Sequence, residues 1–197
     1  MPGAHHHVEH AEHTEHVAHS NKNVALLIAV IALFLAFSET LGKSAQTAAL
    51  SYNVEASNLW AFFQAKTIRM TVLRTAADTR AIDSDAASSA EIKATMAKQI
   101  DTWKKTADRY DDEPSTGEGR KQLTARAQEA EKKRDVAMAR YHHYEIASAA
   151  FQIGIVLCSA AVVTGMIMLA FIAGGLTVVG LAFTGIGLFA PHAVHLF

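Results

Sequence analysis

Charge is what the end of this sequence lacks. Its last 52 residues, 146–197, contain no Asp, Glu, Lys or Arg. Soluble domains keep charged side chains over their surface, so a water-soluble monomer is excluded. Cysteine is almost missing as well. Cys158 stands alone in an apolar run, which leaves no intrachain disulfide, thiol pair or Cys-based zinc cluster. Basic excess is also lacking: residues 43–145 hold 17 basic and 15 acidic side chains. That balance is no footprint for nucleic acid. Enzyme motifs are absent too. GEGRK at 117–121 has the wrong spacing for a phosphate loop, and no nucleophile elbow, HExxH or dinucleotide fingerprint occurs. Asp111-Asp112 sits in turn-forming sequence and reads as a solvated loop. The chain is expected to be non-enzymatic.

What is present falls into blocks. Residues 1–23 form a polar tail with seven of the eleven histidines. Residues 24–42 form a first apolar run, 19 residues long, whose first 14 are wholly apolar. At about 1.5 Å per residue this just spans a hydrocarbon core of roughly 30 Å. The tail before it has three glutamates and a single Lys22, so an uncleaved anchor fits better than a secretory signal. Residues 43–145 read as a helical extramembrane module, with helices at about 43–81, 88–110 and 119–146. Asp85, Ser88 or Ser89 can cap the middle helix, and DDEPSTGEG at 111–119 makes the loop before the last. The charge-free tract fits two spans, 146–164 and 167–190, around a turn at Thr164-Gly165-Met166, with Gly174-Gly175 the rival; 191–197 is a short tail. The expected fold is an all-α membrane protein with three transmembrane helices and a coiled-coil-like module between the first and second.

Spacing organises the module. Tyr52, Ala56, Leu59, Phe63, Lys66, Met70, Leu73 and Ala77 alternate by fours and threes, as do Leu123, Ala127, Ala130, Arg134, Ala137, Tyr141 and Tyr144. Both are heptad seams. Lys66 and Arg134 place one basic residue near the middle of each seam. Their long stems can reach past the core to water; setting register or selecting a partner is the alternative. Trp60 and Phe62 point away from the seam that holds Phe63, leaving a second contact surface for headgroups, the middle helix or another subunit.

The stretch SYNVEASNLWAFFQAKTIR at 51–69 resembles the signature region of the bacterial DUF4337 family. The resemblance rests on Ala56, Ser57, Trp60, Phe62, Phe63, Gln64, Ala65, Lys66 and Ile68. The His- and Glu-rich start, single anchor and apolar hairpin are similar too. Asn58 stands where Asp or Gln is frequent, and the hairpin turn lacks the family's basic residues. The resemblance implies a bacterial inner-membrane protein and brings no mechanism. Lys and Arg counting near the span ends puts the module in the cytoplasm. The family's usual basic turn implies a cytoplasmic N-terminus and a periplasmic module, which is the topology adopted.

The tail has a pattern of its own. His7, His10, His13, His16 and His19 recur every third residue, with Glu9, Glu12 and Glu15 each just before a histidine. Imidazoles at that spacing can chelate zinc, copper or nickel. A polar, low-complexity tail or a pH-responsive one are the competing readings. Glu39 is the only Asp, Glu, Lys or Arg inside a predicted span and sits near its end. It reads as interfacial, with a proton or cation site as the alternative. His142 with His143, and His192 with His195, read as interfacial pairs. In the last span Gly175, Gly180 and Gly187 form a small-residue stripe, facing Ala150, Gly154, Cys158 and Ala161 on the preceding one.

These features point to a membrane-anchored structural or accessory protein. It would self-assemble, or dock in a larger membrane complex, through Trp60, Phe62, Phe63, Lys66, Arg134 and the glycine stripe. A metal-handling protein using the tail, and an oligomeric channel or transporter, are the alternatives. The expected partners are the bilayer, further copies of the chain or another membrane complex.

Overall fold

A computed structural model describes residues 4–193, with side chains from Lys22 onward. The described residues are helical, with no strand, in four helices: α1 (Ala4–Ala86), α2 (Ala90–Asp111), α3 (Arg120–Thr164) and α4 (Ile167–Phe189). Parts of α1, α3 and α4 are long and apolar enough to cross a membrane. The chain is an all-α membrane protein. Its packing forms two units, one from Met1–Ala48 with Val136–Phe197 and the other Ala49–Asp135.

In the span unit, the buried core contains Val24, Ile31, Ala147, Phe151, Cys158, Ala161, Ala170 and Ala173. The α4 residues turned inward are Ala170, Ala173, Thr177, Gly180, Thr184 and Gly187. They alternate by threes and fours and are all small, which lets backbones approach closely where bilayer lipid removes the usual hydrophobic drive. The two threonine hydroxyls donate to Ala173 O at 2.8 Å and Gly180 O at 2.9 Å. Each therefore lies on the seam with its hydrogen bond made within α4. The α3–α4 turn falls at Gly165, whose φ of 70° favours a residue without Cβ.

The module unit packs α1 and α3 through Ala56, Leu59, Leu123, Ala127 and Ala130, with Trp60, Phe62 and Phe63 partly buried against them. Every α1 seam position from Tyr52 to Ala77 is buried or half-buried. The loop after α2 is shaped by Gly117, at φ 70°, and by Gly119. A methyl on Gly119 would collide with Glu113 N and Gln122 Oε1, so only glycine permits that approach.

Several boundaries differ from the sequence expectation. α1 runs to Ala86 rather than 81, since Arg80 and Asp83 pair one turn apart at 3.8 Å and no breaker intervenes. Ser89 takes the N-cap position of α2 without a side-chain cap bond. The module unit is shorter than 43–145. Close packing of the spans continues past the apolar runs: a methyl on Gly42 would meet Tyr144 Cβ at 3.4 Å.

Candidate functional site

Of the signature residues, Ala56, Trp60, Phe62, Phe63 and Lys66 turn inward, while Ser57, Gln64 and Ile68 are exposed. Lys66 is 5% exposed, and its Nζ lies 3.6 Å from Glu113 Oε2 and 3.7 Å from Glu118 Oε2. The ammonium also stands 5.4 Å from the Phe62 ring centroid and 5.0 Å from that of Tyr110. This corrects the expectation that its stem passes the core to reach water: the charge stays inside, matched by two carboxylates and two ring faces. Arg120 works beside it. Its Nε donates to Thr67 Oγ1 at 2.9 Å, its Nη1 to Asp111 Oδ1 at 2.9 Å, and its guanidinium sits 4.9 Å from the Phe63 centroid. The expectation of a surplus aromatic face is corrected likewise. Trp60 Nε1–H donates to Glu131 Oε1 at 2.9 Å, and the Trp60 ring meets Phe63 edge-on at 5.5 Å. Arg134, half-buried, forks onto neighbouring Asp135 at 3.0 and 2.9 Å.

On the loop, Gln122 Nε2 donates to Asp112 Oδ1 at 2.7 Å and Lys121 Nζ to Asp112 Oδ2 at 3.0 Å. Those two bonds hold the Asp112 carboxyl below its ordinary range, the Gln122 bond contributing most. The bond to Asp112 in turn raises Lys121. Arg120, Glu113, Glu118 and Glu131 were not legible as site residues, because their roles come from the loop's fold rather than from any spacing. Chemically, the arrangement is a brace: it ties α1, the end of α2 and the 112–119 loop to α3.

In the span unit, Gln152 Nε2 donates to Glu39 Oε1 at 3.2 Å, on an exposed face. Gln152 carries no formal charge, which hid it from a search for ionisable groups. Ser38 is fully buried, and its hydroxyl donates to Tyr144 O at 3.1 Å. The expected His142–His143 pair is split. His143 is buried, and its Nε2 must donate to the carbonyl of Pro191 at 3.0 Å, while Nδ1 has no partner among the described residues. His142 is half-exposed, 3.7 Å from the Glu145 carboxylate. The glycine stripe divides between two sides of α4. A methyl on Gly180 would lie 2.6 Å from Phe151 Cε1, and one on Gly187 2.8 Å from Tyr144 Cε1, so both serve packing of α4 on α3. Gly175 faces outward, with no described atom within 4 Å of an added methyl. A cleft of about 450 Å³ near the start of α4 is lined by apolar residues and Asn23, a lining suited to an alkyl chain.

His7, His10, His13, His16 and His19 lie outside the residues whose side chains are described, as does His195. Among the described residues no three His, Cys, Asp or Glu gather as metal ligands. The family described as a domain of unknown function, DUF4337, matches residues 20–190. No curated protein and no solved structure matches the chain.

Proposed function

The chain belongs to the DUF4337 family, and from that premise we propose that it is a non-enzymatic, membrane-anchored structural protein that assembles within a bacterial inner membrane. The observation that carries this reading is where the charged and aromatic groups around Lys66 point. Lys66, Trp60 and Arg120 are engaged inside the module, so its polar chemistry braces helices instead of meeting a substrate. Among its exposed polar residues, α1 of the braced module also turns outward Leu50, Val54, Ile68, Val72 and Ile82. Exposed apolar patches of this kind mark contact with other macromolecules or with membrane. In the span unit, the outward Glu39–Gln152 pair adds a polar group that favours a neighbour over lipid. Chemical crosslinking in intact membranes tests the reading, with the protein recovered as a crosslinked assembly as the expected result.

A second reading rests on the period-three histidines. A peptide of residues 1–23 is expected to bind zinc or copper at micromolar affinity, about -8 kcal/mol. Binding should collapse below about pH 6 as imidazoles protonate. Equal binding by a scrambled peptide of the same composition would remove this reading.

A further inference from the structure

Opposite its buried seam, α1 carries a second one that faces outward. In the module it runs by alternating fours and threes from Val54 to Ile82, with Ile68 and Val72 between them and the small or polar residues Asn58, Ala61, Ala65, Thr75 and Thr79 at the other positions. Val54, Ile68, Val72 and Ile82 are 51–72% exposed. In the sequence the same alternation runs back through the uncharged hydroxyl residues Ser51, Thr47, Ser44 and Thr40 to Leu26, and Leu26, Val30, Leu33 and Phe37 are exposed in their own unit. None of the seventeen positions from Leu26 to Ile82 is charged. Nearby charges such as Glu55, Arg69 and Arg74 lie off the stripe.

An exposed helix face in water normally carries the charges and follows no strict repeat. Here, outside the bilayer, the face furthest from the core is the uncharged one, and it keeps a seven-residue period. Solvent and lipid have no use for that period; another helix does. We propose that this seam is where α1 pairs, parallel and in register, with α1 of a second copy of the chain. The proposal deepens the assembly reading above and rests on it.

Three features select a second copy as the occupant. Identical faces can meet only if they carry no like charges, and this one carries none, whereas a different partner is usually chosen by charge. Copies of one chain anchored in the same bilayer share a single orientation, so their α1 helices run parallel rather than antiparallel. Asn58 lies on the seam at a position preceding Ala61 by three, the a position of a heptad. Identical asparagines there meet each other only when two parallel helices are in register.

The test uses the full-length chain in membranes, in a Cys158→Ser background, with single cysteines at seam sites (Ala61→Cys, Ile68→Cys) and at off-seam sites (Glu55→Cys, Arg69→Cys). Mild oxidation should give dimer at the seam sites, with about tenfold less at the others, since Cα atoms beyond about 7 Å cannot be bridged. In the wild-type background, Ile68→Lys with Val72→Lys should lower the detergent-extracted particle's mass while leaving helicity unchanged. Equal crosslinking at all four sites, or adducts with a different protein, would overturn the proposal. A multi-chain particle with that flat pattern would remove this seam and keep the assembly reading. A single-chain particle would remove both.

Discussion

The two units use one spacing and hold it with opposite chemistry. In the module, the threes and fours of α1 and α3 set a Leu and Ala core beside aromatic and charged side chains. Lys66 is buried between two carboxylates, and Arg120 spans Thr67, Asp111 and the Phe63 ring. In the span unit the same rhythm is written in Ala, Thr and Gly, and rings fill the places where glycine lacks a side chain. The contrast follows from the surroundings. Water around the module drives apolar burial and lets ion pairs form at the edge of the core. Lipid offers no such drive, so close backbone approach and internally satisfied hydroxyls take over.

Replacing small by large in the spans is expected to have the greatest effect. Gly180→Leu forces a side chain into the Phe151 ring and should cost about 3 kcal/mol in unfolding measured in mild detergent. Gly175→Leu, on the same helix with no described atom within 4 Å, should be near neutral. Equal effects at the two sites would erase the distinction between inward and outward glycines. In the module the sensitive element is charge. Lys66→Met leaves Glu113, whose side chain is 14% exposed, with the exposed Arg109 at 3.5 Å as its cation and should cost about 2 kcal/mol. Adding Glu113→Gln and Glu118→Gln should recover most of that loss, because a missing pair is tolerated better than a broken one.

Trp60→Phe removes the hydrogen bond to Glu131 and part of the ring packed against Phe63, and should cost about 1–2 kcal/mol. The smallest expected effect is on pH dependence. The Asp112 carboxyl is depressed, so its contribution is full above the ordinary carboxylate range and is lost as pH falls through its lower folded value. Raised Lys121 contributes below the ordinary lysine range and loses its part as pH climbs through its higher folded value. Asp112→Asn should flatten both edges when unfolding is followed by tryptophan fluorescence. An unchanged profile would mean that this loop adds nothing to the module's stability.

The helical class, the three spans and the seam positions could be read from the sequence because hydropathy and period are local properties. The turn at Gly165 could be placed for the same reason, since it leaves an apolar run of span length on each side. The brace could not. Lys66 finds Glu113 and Glu118 only through a loop bent at Gly117 and closed by Gly119, and no periodicity encodes such a loop. Reading Gly175, Gly180 and Gly187 as one stripe accepted steps of five and seven. The seam from Ala170 to Gly187 alternates by threes and fours and leaves Gly175 on the other side. The outward stripe of α1 leaves little local mark because small and hydroxyl residues interrupt its apolar ones, whereas the conspicuous aromatic cluster at Trp60 turns toward α3.

Assembly in the membrane is the claim on which the functional reading depends, and the mass of the particle extracted in mild detergent, measured by light scattering with the detergent subtracted, tests it most directly. A mass of two or more chains is the predicted result. A particle holding one chain, at every protein concentration and in every mild detergent tried, would contradict it.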